Sequence, residues 1–131
     1  MSVTEAEFET LVFEAFVEMP EGYRVLCDGL AIRTEEYASR ETLGELGMAS
    51  PLELLGLYHG ISLAQKSVFD LVSMPDTVLI YRRPIIAYAK AKGLPLIDVV
   101  RHVLIHEIGH HFGLTDVDME AIEQGAESEP L

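Results

Sequence analysis

Apolar residues near the start of the chain recur at helical spacing: Phe8, Leu11, Val12, Ala15, Phe16 and Met19. They share one stripe of a 3.6-residue repeat, which predicts an amphipathic helix over residues 4–18. Thr4-Glu5-Ala6-Glu7 opens that helix as a capping box, with Thr4 as cap and Glu7 reaching back. Pro20 and Gly22 end it. The pattern then turns β-leaning. Leu30-Ala31-Ile32, after a turn at Asp28-Gly29, predicts a strand near residues 29–35. Residues 36–51 are polar and broken by Gly44, Gly47 and Pro51, and read as a long loop or a lightly structured excursion. Leu54 to Gly60 reads as a second strand, while residues 61–73 carry no decisive pattern. Thr77-Val78-Leu79-Ile80-Tyr81 is the clearest strand, begun after Pro75-Asp76. Pro84, at a first helical position, opens a short helix to about Lys92, and Gly93 stops it. Pro95 opens a longer helix. Val100, Leu104, Ile105, Ile108 and Phe112 make its apolar face, with His102, His106 and His110 opposite. Asp118 to Gln124 predicts a short final helix. The whole reads as an α+β fold: a small mixed sheet of about three strands packed against helices. With 131 residues, no repeat and no dividing linker, residues 1–131 are expected to form a single domain.

The polar face of the last long helix carries the chemistry. His106-Glu107-Ile108-Gly109-His110-His111-Phe112-Gly113-Leu114-Thr115-Asp116 reads H-E-x-x-H-x-x-G-x-x-D. Histidines four apart on a helix stand one turn above the other, so two imidazoles can share one metal ion. Zinc suits nitrogen ligands, and a catalytic zinc usually has three protein ligands and one open position. Glu107 is rotated about 100° from His106, beside the metal face, where a glutamate can act as general base on a zinc-activated water. Gly113 falls where the helix should stop, because glycine accepts the left-handed conformation. The chain can then turn back so that Asp116 supplies an oxygen as third ligand. On a straight helix His106 and position 116 would be about 15 Å apart. The expected site is therefore one zinc ion per chain on His106, His110 and Asp116, with Glu107 as the catalytic group.

Other histidines and hydrogen-bond donors accompany this motif. His102 lies too far along the axis to share the same ion and is expected to line the cleft or support a ligand. His111 is expected to be structural, and His59 to be an ordinary surface histidine, or a substrate contact if its strand borders the cleft. Tyr58, Tyr81, Tyr88, Arg101 and His102 are candidate donors to a developing oxyanion. Asp98, Asp118 and Glu120 are candidate acceptors for the outer ring nitrogens of the ligating histidines.

Charge and cysteine content narrow the setting. The formal net charge is −13, which disfavours a phosphate backbone as partner, so no nucleic acid is expected. Glu5, Glu7, Glu9, Glu14, Glu18 and Glu21 precede the first basic residue, and none follows Arg101. These runs read as solvated helical faces, with attraction of a basic substrate as the sharper alternative. Cys27 is the lone cysteine and fits a reducing compartment. Met1-Ser2-Val3-Thr4-Glu5 resembles no secretory signal, and no segment approaches the ~20 apolar residues of a membrane helix. A cytoplasmic protein without a membrane span is expected.

The run from His106 to Leu114, then Asp116, resembles the small bacterial zincin-like metallopeptidases, or minimal zincins. Leu55-Gly56-Leu57-Tyr58-His59-Gly60 and the early helix ending at Met19-Pro20 are similar to the same group. The resemblance implies a small sheet packed on the metal-binding helix, zinc on His106, His110 and Asp116, and Glu107 as base. The implied activity is zinc-dependent hydrolysis of peptide bonds in a peptide or protein substrate. The motif is also similar to that of metzincin peptidases with an aspartate ligand. Their downstream methionine turn has no counterpart, since Met119 is the sole methionine after Asp116 and sits too close to it. The cleft is thus expected to be shallow or completed by a second subunit. Two alternatives stand beside the peptidase. One is a non-catalytic zinc-binding regulatory module with a fourth protein ligand. The other is a metal-dependent endoribonuclease, a class that spaces three histidines as His106, His110 and Asp116 are spaced. Asp116, Glu107 and the acidic charge all count against that second alternative.

Overall fold

A computed structural model describes residues 3–21, 24, 27, 29–60, 76–114 and 117. Helix α1 (Glu5–Val17) opens with the expected capping box. The Thr4 hydroxyl accepts the Glu7 N–H at 3.1 Å, and the Glu7 carboxylate accepts the Thr4 N–H at 2.9 Å. After a turn in which Gly29 takes φ +85°, strand β1 runs Ala31–Glu35. The stretch expected as loop contains a six-residue helix, α2 (Arg40–Glu45), and a 3₁₀ turn at Pro51–Glu53. Both are set by caps rather than by burial. Ser39 accepts the Thr42 N–H at 3.1 Å, and the Ser50–Glu53 pair forms a second capping box. Only Leu43 of α2 is buried, so no apolar period marks the helix in the sequence.

Strand β2 (Gly56–His59) is shorter than the expected 54–60, because Leu54 still caps the 3₁₀ turn. Strand β3 (Thr77–Tyr81) has the expected bounds. Helix α3 (Arg82–Lys92) follows it without a loop, so Pro84 is the third helical residue and not the first. The position tolerates proline because the first four helical N–H groups have no intrahelical partner. Helix α4 (Leu96–Phe112) takes Pro95 as its N-cap residue. Residues 61–73 and the expected helix from Asp118 to Gln124 lie outside the described residues.

The fold class is α+β, with a three-stranded mixed sheet of order β1-β3-β2 and four helices among the described residues. β3 is central, parallel to β1 and antiparallel to β2, with Tyr58 opposite Val78 and Gly56 opposite Ile80. Alternation along β3 separates two apolar layers. Val78 and Ile80 face the main core, which holds Phe8, Val12 and Ala15 of α1, Ile85 of α3 and the buried side of α4. Leu79 and Tyr81 face a smaller cluster with Leu43, Leu54 and Leu57. Arg101 on α4 also reaches across to Glu18 just past α1, at 3.2 Å, while holding Asp98 at 3.1 Å. No helix among the described residues is long and apolar enough to cross a membrane.

Candidate metal centre

The rotation of α4 about its axis decides what its histidines can do. Val100, Leu104, Ile105 and Ile108 are fully buried, with Phe112 half-buried against them. That leaves the column of His102, His106 and His110 turned away from the core: His102 and His110 are exposed and His106 half-buried. The rings of His102 and His106 pack at 4.3 Å between centroids and 46° between planes. The helix ends as expected at Gly113, whose φ of +76° is the left-handed stop.

Glu107 sits at the edge of this column, with its side chain 14% exposed. Its Oε1 lies 3.2 Å from His110 Nδ1, and its carboxylate accepts the backbone N–H of Tyr58 on β2. Burial pushes the Glu107 carboxyl above its ordinary pKa, while the nearby His110 and the two hydrogen bonds pull it back. With Glu107 ionised, His110 Nδ1 must be the donor. In the neutral ring the lone pair then resides on Nε2, the nitrogen a metal would take. The donor set thus fits a zinc ion as far as it is described: two imidazoles one turn apart, one with its outer nitrogen already held. Among the described residues no group of three or more His, Cys, Asp and Glu side chains is placed to hold a metal. The expected third ligand, Asp116, lies outside the described residues, as do Asp118 and Glu120.

β2 packs against the helix closely enough to need glycine. A Cβ on Gly56 would lie 2.6 Å from Val103 Cγ1, 3.1 Å from Leu79 O and 3.3 Å from Glu107 Cγ. Beyond Glu107, His111 turns inward and is 4% exposed. Its Nδ1 lies 3.1 Å from the Tyr58 hydroxyl and 3.2 Å from Asp76 Oδ2, and the Tyr58 hydroxyl donates to Asp76 Oδ2 at 2.6 Å.

These contacts reassign several candidates. Tyr58 is half-buried, and its hydroxyl is engaged by Asp76 and His111. Burial, followed by the bond to Asp76 and the Asp76 charge, drives its pKa well above the ordinary tyrosine value. Tyr81 is 1% exposed and is closed off from solvent. Burial and the charges of Glu35 and Glu107 push its pKa to about 12. Arg101 is held by Asp98 and Glu18. Tyr88 is exposed on α3. His102 is the candidate donor that stays on the histidine face, and His59 is exposed at the end of β2. Sequence reasoning missed Glu107 as the acceptor for His110, although their spacing of three residues on a helix could have shown it. It also missed the Tyr58 N–H, and a backbone donor leaves no residue-type signature.

The family model of zincin-like metallopeptidases matches residues 27–126, a span containing β1 to β3, α4 and the full motif. The chain belongs to the zincin-like metallopeptidase family. No curated protein matches it. Membership accounts for the mixed sheet packed on a C-terminal helix, and makes this zincin-like chain one of a zinc-binding, hydrolytic family.

Proposed function

We propose that this chain is a zinc-dependent peptidase that holds one zinc ion on His106, His110 and Asp116 and uses Glu107 as general base. The observation that carries the reading is the Glu107 carboxylate, fixed between the Tyr58 N–H and His110 Nδ1 at the edge of the histidine column. Zinc, when bound, supplies a Lewis acid that polarises a carbonyl and activates water near neutral pH. Glu107 accepts a proton from the attacking water and returns it to the leaving amine. Partial burial favours this work, because a carboxylate that ionises against desolvation is a stronger base than one in open water. The Tyr58 N–H and His110 keep the carboxylate oriented, and His102 is the group that would donate to the developing oxyanion. A peptide would lie extended along β2, the sheet edge beside α4 among the described residues.

The partners in this reading are peptides or proteins, and the charge of −13 argues against nucleic acid. Cytoplasm is the proposed compartment. Its support is the single cysteine, a buried thiol whose pKa burial pushes to about 11.

The test is metal content by elemental mass spectrometry together with cleavage of a peptide library. The wild-type protein and Glu107→Gln should each carry about one zinc ion per chain, whereas His110→Ala and Asp116→Ala should lose it. Glu107→Gln should lower kcat by roughly 10²–10⁴. Full cleavage by that variant, or no zinc in the wild-type protein after reconstitution, rules the mechanism out.

A further inference from the structure

The function proposed above uses Glu107 and the outward histidines, and leaves the inward triad of Tyr58, Asp76 and His111 without a role. Tyr58 contacts α4 in two chemically different ways. Its backbone N–H goes to the Glu107 carboxylate. Its hydroxyl goes to Asp76 Oδ2 at 2.6 Å and meets His111 Nδ1 at 3.1 Å. Glu107 and His111 are four apart, so they stand one above the other on consecutive turns of the helix. One strand residue therefore grips two turns of α4, one through its main chain and one through its side chain.

The proton placement follows from valence. The Tyr58 hydroxyl has one proton and gives it to Asp76. His111 Nδ1 then faces a hydroxyl lone pair and a carboxylate oxygen, both acceptors, so Nδ1 carries a proton. The Asp76 and His111 side chains are each 5% exposed. Hydrogen bonds at that depth are costly to leave unmade, and the arrangement is correspondingly stiff.

The flanks of β2 are shaped for the same grip. Gly56 lets Val103 and Glu107 close on the strand, and a Cβ on Gly60 would overlap the Asp76 carboxylate. The run from Gly56 to Gly60 is thus a platform with a glycine at each end and Tyr58 at its centre.

We propose that Tyr58 is a positioning residue for α4: through its N–H on Glu107 and its hydroxyl on Asp76 and His111, it fixes the rotation of the helix that aims the Glu107 carboxylate. The catalytic meaning of this positioning rests on Glu107 being the general base; its structural content does not.

The deciding variant is Tyr58→Phe, which keeps the ring and the backbone N–H and removes only the hydroxyl. Amide hydrogen exchange, followed by NMR, reads the bond to Glu107 without needing metal or substrate. The amide of residue 58 is expected to exchange about tenfold faster in the variant. The Tyr81 amide, which bonds Leu55 O at 3.0 Å in the same sheet, should be unchanged. Unchanged exchange at residue 58 overturns the proposal. So does equal acceleration at both amides, which would report only a loss of global stability. If Tyr58→Phe does not fold, Asp76→Asn keeps the shape and one acceptor and is read in the same way. On a peptide substrate the Phe variant should lower kcat about tenfold with KM within twofold; an unchanged kcat would overturn the positioning role. A wild-type protein that cleaves no peptide would instead defeat the function proposed above, and the exchange result would still decide whether Tyr58 positions the helix.

Discussion

At the scale of single residues, Gly56 shows how tightly the site helix is seated. On β2, a side chain at this position would enter the space of both Val103 and the stem of Glu107. Gly56→Ala should destabilise the protein by about 1–3 kcal/mol, the usual range for overpacking. Val103→Ala removes the methyl group that the new Cβ would meet at 2.6 Å. The double variant should therefore be more stable than the sum of the two single effects predicts. The recovery is only partial, because the Leu79 carbonyl at 3.1 Å is backbone and cannot yield as a side chain does. Urea unfolding of the four proteins measures this coupling, expected at about 1 kcal/mol. Strict additivity would mean that the strand moves off the helix instead of pressing on Val103.

At the scale of elements, α3 and α4 end in the same way, and the comparison isolates what the second ending is for. Gly93 and Gly113 both take left-handed conformations, with φ of +67° and +76°. Alanine at either position should cost about 1 kcal/mol or more, because an L side chain is strained there. Thermal melts should show similar losses for the two variants. Zinc competition against a chelator should separate them: only Gly113→Ala should weaken binding, since the function proposed above needs the chain to turn back after Gly113 for Asp116 to serve as a ligand. Equal zinc affinity in both would detach that turn from the metal site. These endings were legible in the sequence because they depend on neighbours within a few residues. So were the capping box at Thr4, the apolar run of β3, and the separation of Val100, Leu104, Ile105 and Ile108 from the histidine column. The short helix α2 was not legible, since a helix that buries only Leu43 leaves no periodic trace. Nor was the start of α3 at Arg82, where proline at the third position looks in sequence like proline at the first. Of the candidate site, the local H-E-x-x-H geometry was legible. The grip of Tyr58 on Glu107 and His111 was not, because it joins residues about 50 positions apart.

At the scale of the whole molecule, two polar knots close the sheet, one at each end of β3. Asp76, just before the strand, joins Tyr58 and His111. Arg82, just after it, joins Glu36 and the carbonyl of Val3. Parallel strands leave a sheet at the same end, so Glu36 after β1 meets Arg82 and Arg83 after β3, and Val3 brings the start of α1 to the same point. Hydrogen bonding to Arg82 is the chief reason that the Glu36 carboxyl falls from its usual 4.5 to about 2. A carboxylate with a lowered folded pKa contributes stability that is fully present above its unfolded value and is lost as pH falls through the folded one. The Glu36 contribution should therefore be constant at neutral pH and fade between about pH 4.5 and pH 2. Other carboxylates titrate in the same window, so the difference between wild type and Glu36→Gln carries the information. Denaturant midpoints should lie lower for the Gln variant at pH 7, and the gap should narrow steadily as pH is taken towards 2. The Glu36 side chain is 38% exposed, so solvent screening keeps the gap modest. The Gln variant should also keep its zinc and its cleavage rate, because this knot lies at the opposite end of β3 from the one that holds α4. Parallel pH profiles would show that Arg82 holds Glu36 no more tightly in the folded chain than in the unfolded one. A matching fall in kcat would show that the two ends of the sheet do not act independently.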